Sequence, residues 1–292
     1  MNNRKQDRKQ HQKREKLAFK EAMHRELREH RSSFIVFYLL RVLVIVALVR
    51  QAMLRNYEGM FFCVLTILLF YIPSWLQVKL RIELPPALEI TILCFIFAAE
   101  VLGEVNAFYV KVPNWDTMLH TLNGFLAAAV GFSLVVLLND SEKLTFDLSP
   151  FFLALVAFCF SMTIGVLWEF FECAMDQLFL LDMQKDTVLS SISSVMLDPT
   201  GGNTPVAIKG ITDVIVVANG EQIPLGVGGY LDVGILDTMK DLVVNFVGAV
   251  VFSFIGYFYV KGRGKGRFAR RFIPRVLSGA EEEKQESEQT GE

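Results

Sequence analysis

The sequence predicts an all-α polytopic membrane protein of about six transmembrane helices with a small extracytoplasmic β-hairpin insert. Three observations lead there. The 292-residue chain is 52% apolar with a mean hydropathy of +0.39, and the apolar residues gather in long runs, unlike those of a soluble domain. Six runs reach the ~20 residues of helix needed to cross a hydrocarbon core of about 30 Å. The net charge of −2 conceals strongly basic segments near both ends.

Residues 1–32 form a basic N-terminal segment. Residues 1–31 hold 11 Lys/Arg against 5 Asp/Glu. Glu21, Arg25 and Glu29 are spaced for an exposed helix. The membrane domain is 33–260, with spans at about 33–54, 59–78, 87–110, 116–138, 150–176 and 238–260. The first run is too long for a signal-peptide core and lacks a small-residue cleavage site, so it reads as a signal anchor. Pro73 is the one proline well inside a span.

The insert occupies 181–236. Ser190 to Asn203 carries the loop signal Asp198-Pro199-Thr200-Gly201-Gly202-Asn203. Asn219-Gly220 then falls between β-branched runs at Val214–Val217 and Ile223–Leu225, a hairpin signal. The run Gly226-Val227-Gly228-Gly229 lacks the Lys-Ser/Thr of a phosphate loop and reads as turn glycines. The tail 261–292 is basic first, with 7 Lys/Arg and no acid over 261–275. It then turns acidic, and 280–292 has the composition of disorder.

Basic short segments stay in the cytoplasm. Both termini are therefore expected inside, with the loop at 79–86, and the insert outside. Arg50 and Arg55 fall on the outer side, against the rule. Cys63, Cys94, Cys159 and Cys173 lie within spans and form no CxxC; they read as small hydrophobes with no structural disulfide. The expected partners are the bilayer and, through the basic termini, anionic lipids. Nothing points to nucleic acid, and the oligomeric state is open.

Ionisable residues inside spans cost roughly 2.5–3.5 kcal/mol each at a helix centre, so a chain that keeps several has a use for them. Here four spans carry them at the same end. Glu100 and Glu104 close the third. Asp116 and His120 open the fourth. Glu169, Glu172 and Asp176 end the fifth, and Asp237, Asp241 and Asn245 begin the sixth. Steps of three and four residues put each set on one helix face. Turned toward one another, the carboxylates would repel unless a cation or protons neutralised them. Carboxylates with one histidine suit a divalent ion, Zn, Mn, Fe or Mg, rather than a soft metal. Asp116, His120, Glu169 and Asp241 are the expected ligands and Glu172 the expected general base. Glu100, Glu104, Asp176, Asp237 and Asn245 complete the polar pocket. Gly124 and Gly131 would let helices approach closely, and Trp168 would wall the pocket. Taken singly, Asp116 and Asp237 also suit helix starts, where an acid meets the dipole favourably.

Several of these residues recur in a recognisable pattern. Trp115-Asp116-Thr117-Met118-Leu119-His120, Gly124, Gly131-Phe132, Gly165-Val166-Leu167-Trp168-Glu169-Phe170-Phe171-Glu172 and Asp237-Thr238-Met239-Lys240-Asp241-Leu242 with Asn245 and Gly248 resemble the YjdF-like bacterial inner-membrane proteins. The resemblance covers about 85–260. It implies a multi-pass protein of the bacterial cytoplasmic membrane and supplies no activity. The residues themselves leave three readings. One is a metal-dependent hydrolase or transferase acting on lipid or headgroup substrates. The second is a proton- or cation-coupled transporter. The third is a non-catalytic sensor or assembly protein. Spans four and six turn apolar beyond His120 and Asn245, which suits a one-sided pocket.

Overall fold

A computed structural model describes residues 32–80, 82–139, 148–262, 266, 268–273 and 275–276. The helix expected at 21–29 and the disorder expected at 280–292 lie outside the described residues. Among the described residues five helices are long and apolar enough to cross a membrane. They are Ser32–Met53 (α1), Tyr57–Trp75, Trp115–Val136, Pro150–Phe179 and Ile235–Lys261. The chain is a polytopic helical membrane protein with small two-stranded sheets.

Two of the expected spans are not single α-helices. The second divides into α2 (Tyr57–Leu69) and α3 (Ile72–Leu80) around a turn at Phe70–Tyr71. Pro73 explains the division, because it has no N–H to return to the Leu69 carbonyl. The third starts as α4 (Pro86–Ile96) and continues as a π-helix over Phe97–Val105. It stops five residues short of the expected end. Asn106 closes it, its backbone and side-chain N–H groups both donating to the Val101 carbonyl. Ala107 then turns left-handed (φ 58°), and one turn of helix, α5 (Phe108–Lys111), follows. Long π segments are rare and are associated with functional sites; this one holds Glu100 and Glu104.

The remaining spans run close to expectation as α6 (Trp115–Asn139), α7 (Pro150–Phe179) and α8 (Ile235–Lys261). Ser149 caps α7 by accepting from the Phe152 N–H, and Pro150 occupies its first turn. These three helices pack on one another, and α4 with its π segment joins them to α2. Arg50, on the unexpected side by charge, donates to the Asn106 side chain at 3.4 Å.

Three antiparallel pairs build the insert. β2 (Val188–Leu189) pairs with β7 (Tyr230–Leu231), and β3 (Ser191–Ser194) with β4 (Val206–Lys209). β5 (Ile215–Ala218) pairs with β6 (Glu221–Pro224). Asn219 and Gly220 join the last pair with φ of 54° and 84°, the two left-handed residues of a type I′ turn. Val206–Lys209 pairs back to the serines rather than forward. Ser191–Ser194 is thus a strand, because ladder pairing outweighs serine's weak strand preference.

At the opposite end the basic tail folds back. Here β1 (Ile82–Glu83) pairs with β8 (Arg275–Val276). Ala269 and Ile273 are buried with Ala128, Phe132, Leu153, Ala157, Ala249 and Phe252. The tail start therefore packs against the helices as well as following them, and it lies at the same end as the 82–84 loop.

Candidate functional site

The insert end of α6, α7 and α8 holds the polar cluster. Three glycines let the helices meet there. A Cβ on Gly124 would stand 2.1 Å from the Asn245 carbonyl oxygen, and one on Gly248 would stand 2.0 Å from the Thr121 carbonyl oxygen. A Cβ on Gly165 would meet the Asn245 amide nitrogen at 2.6 Å. None of those distances leaves room for a side chain. Gly131 serves in the same way farther along, against Phe160. The Ser161 hydroxyl donates to the Gly124 carbonyl at 2.7 Å. Asn245, 1% exposed, accepts from Asn123 at 3.2 Å and donates to the Ser161 carbonyl at 3.4 Å. It locks the three helices together one turn below the charged groups.

Those groups surround His120. Its Nε2 lies 3.3 Å from Asp116 Oδ1 and 3.9 Å from Asp241 Oδ2. Its Nδ1 lies 3.8 Å from Glu169 Oε1. Glu172 accepts from the Trp168 indole N–H at 2.9 Å. His120, Glu169, Glu172 and Asp241 are all buried, Asp241 to 1% exposure. Two overlapping groups could each hold an ion: Asp116, His120 and Asp241, and His120, Glu169 and Glu172. Within each group the donor atoms lie within 4.8 Å of one another. Glu169 Oε2 and Asp241 Oδ1 are buried and find no hydrogen-bond partner among the described residues. A buried acceptor left unmade is costly; Asp241 Oδ1 has the Lys240 ammonium at 3.6 Å, so it is Glu169 Oε2 that calls for a partner.

The supporting residues divide. Asp176 accepts from the backbone N–H groups of Met183 and Gln184 at 2.7 and 2.9 Å and closes the turn after α7. Asp237 accepts from the Lys185 N–H at 2.9 Å, and the Gln184 side chain donates to Thr238. Both aspartates therefore tether the root of the insert. Glu100 and Glu104 lie in the π-helix and belong to neither donor group.

Lys240 is the residue that sequence spacing underrated. Its ammonium lies 2.9 Å from Asp237 Oδ1, 3.3 Å from Asp116 Oδ2 and 3.6 Å from Asp241 Oδ1. The available signal was its place three residues after Asp237, in the first turns of a helix rich in acids. Arg41 in α1 is a further charged residue within a span. Its guanidinium sits 4.6 and 4.3 Å from the centres of the Phe37 and Tyr71 rings, a cation–π arrangement.

The fold and cluster together define a class: a helical multi-pass membrane protein with a buried carboxylate–imidazole centre. Residues 35–262 match the model of a family described as predicted membrane protein, DUF2238. The chain belongs to that family, of which the YjdF-like proteins are members. No curated protein and no solved structure matches it.

Proposed function

We propose that the protein is a divalent-metal-dependent membrane enzyme whose centre opens at the outer face, carrying out hydrolysis or group transfer on a lipid or its headgroup. The observation that carries this reading is the convergence of His120 with Glu169, Glu172, Asp116 and Asp241, with the buried Glu169 Oε2 lacking a hydrogen-bond partner. Four carboxylates and one imidazole concentrate negative charge in a poorly solvated space, and a hard or borderline divalent ion relieves it. Bound there, the ion would activate water and polarise a phosphoryl or carbonyl oxygen. In hydrolysis the water oxygen bonds to phosphorus or carbonyl carbon. A carboxylate of the cluster would take the water proton, the P–O or C–O bond to the leaving group would break, and the proton would pass to the leaving oxygen. Glu172, which accepts from the Trp168 indole N–H, is the group this reading assigns to that exchange.

Below the cluster the charged residues end, and after Asn123, Asn245 and Ser161 the buried polar side chains are the hydroxyls of Ser133 and Ser253. The helices then pack through Ala128, Phe132, Ala157 and Phe252. This apolar floor supports a one-sided site over a transport path. The basic arms at both ends support cytoplasmic termini in a bacterial inner membrane, in contact with anionic lipid. Elemental analysis of protein purified without chelator tests the reading. Wild type should carry stoichiometric divalent metal, and His120→Ala should not. Metal-free wild type whose melting ignores chelator and added Mn or Zn would refute it.

A further inference from the structure

The two donor groups share His120 but use opposite edges of its ring. Nε2 faces Asp116 and Asp241, whereas Nδ1 faces Glu169. The Nε2 side already holds a cation, because the Lys240 ammonium stands 3.3 Å from Asp116 and 3.6 Å from Asp241. A second cation there would meet that ammonium at contact distance. On the Nδ1 side, among the described residues, no cation approaches Glu169 and Glu172, and Glu169 Oε2 is the buried oxygen without a partner.

We infer that the metal binds on the Nδ1 side of His120 with Glu169 and Glu172, which moves Glu172 from base to ligand, while Lys240 fills the opposite side and Asp116 positions the imidazole. This rests on the metal reading above and goes beyond it, by separating ligands from supports. Donors at 2.0–2.2 Å from zinc stand roughly 3.5 Å apart, so the His120–Glu169–Glu172 group closes by about an ångström on an ion. Asp116, 3.3 Å from Nε2, then accepts the Nε2–H. That bond selects the tautomer whose Nδ1 lone pair is free, the arrangement in which a carboxylate backs a metal-bound histidine. Lys240 in turn holds the second Asp116 oxygen, so the order runs from ammonium to carboxylate to imidazole to metal. Asp241, held by Lys240 at one oxygen and close to Nε2 at the other, belongs to the supporting side.

The test uses the full chain loaded with zinc. The other histidines, His11, His24 and His30, are changed to Gln so that His120 gives the only imidazole signals. In ¹⁵N NMR, Nδ1 should carry the metal and Nε2 the proton. A metal-bound Nε2 would overturn the inference. A protein that takes up no zinc fails the metal reading itself and takes this assignment with it. Titration separates the roles further. Asp116→Asn should weaken zinc affinity about 10–100-fold, the usual cost of losing a carboxylate behind a metal-bound histidine. Glu169→Gln should abolish stoichiometric binding. Equal loss in the two variants would make Asp116 a ligand, and unchanged affinity in Asp116→Asn would remove its positioning role.

Discussion

Helices α6, α7 and α8 and helices α1, α2 and α4 belong to one membrane domain, but they are held together by different means. The first group meets over glycines and buries Asn245, Ser161, Asp241 and Glu169 at its crossings. The second packs Leu40, Val44, Cys63, Phe70, Leu93 and Val101, with α1 and α2 exposing most of their remaining apolar surface to the bilayer. In lipid there is no hydrophobic drive between helices, so close backbone approach and interhelical hydrogen bonds do the joining. The first group uses both and thereby gains a rigid polar chamber. The second relies mainly on apolar side chains filling a gap, although Gln51 is buried against Gly59 where α1 meets α2.

The sharpest way to break this contrast is to add one methyl-bearing branch at a crossing. Gly124→Val and Gly248→Val drive carbon into the Asn245 and Thr121 carbonyl oxygens. Backbone atoms cannot step aside, so the helices must part, at a cost above about 3 kcal/mol, the upper end of overpacking penalties. Gly59→Ala on α2 is the control. Its Cβ meets the Gln51 side chain at 2.9 Å, and side-chain atoms shift more readily than a backbone carbonyl. Thermal melting in detergent should show large losses for the first two variants and little change for the third.

Next in size is the response to metal. An ion present at a hundred times its dissociation constant stabilises the folded state by about 2.7 kcal/mol, several degrees of melting temperature for a chain of this size. Chelator should remove that gain from wild type, and His120→Ala should never show it. Arg41→Met in α1, remote from the cluster, should leave the metal response intact even if it lowers the baseline melting temperature. Loss of the response in Arg41→Met would mean that the two helix groups are coupled after all.

Much of the first group was legible before the structure. Spacings of three and four residues put Asp116 with His120, Glu169 with Glu172, and Asp241 with Asp237 and Asn245 on one face of their helices, because helical periodicity alone decides that. The roles of Asp176 and Asp237 were not legible. Their partners are backbone N–H groups at Met183, Gln184 and Lys185, and a loop's path is not written in helix periodicity. The π-helix was equally hidden, since Phe97–Val105 has the composition of any apolar helix. Lys240 stands in the sequence three residues after Asp237, but which carboxylates it neutralises depends on the packing of α6 against α8.

Asn245→Leu should have a smaller effect than the loss of metal. It removes the bridge to Asn123 and to the Ser161 carbonyl, and interhelical polar contacts of this kind are worth up to about 1.7 kcal/mol. Thr66→Val in α2 is the matched change. Thr66 is buried, but its hydroxyl bonds only to the Phe62 carbonyl of its own helix, so that substitution should be close to neutral. Chemical denaturation in mixed micelles separates the two. Equal costs would end the claim that polar locking is confined to α6–α8.

The smallest expected effect lies in the insert, which tests whether the chamber and its cap are independent. Asp232 sits where β7 returns to α8 and accepts from the backbone N–H groups of Thr187, Leu236 and Gly234 at 2.7, 2.9 and 3.3 Å. Partial burial raises its carboxyl pKa, but those N–H donors outweigh it, so the net shift is downward. Asp198 is lowered as well, first by the Thr200 hydroxyl and then by backbone N–H groups. A carboxylate whose folded pKa lies below its unfolded value of about 3.9 contributes stability that is fully present above that value. The contribution is lost as pH falls through the lower, folded value. Amide hydrogen exchange in the insert should therefore lose protection only below about pH 4, while α6–α8 stay protected. Asp232→Asn keeps the shape, removes the charge, and should weaken protection of Thr187, Gly234 and Leu236 at neutral pH without moving the melting temperature of the helices. A fall in helix stability in step with the insert would show that the cap is part of the chamber's wall.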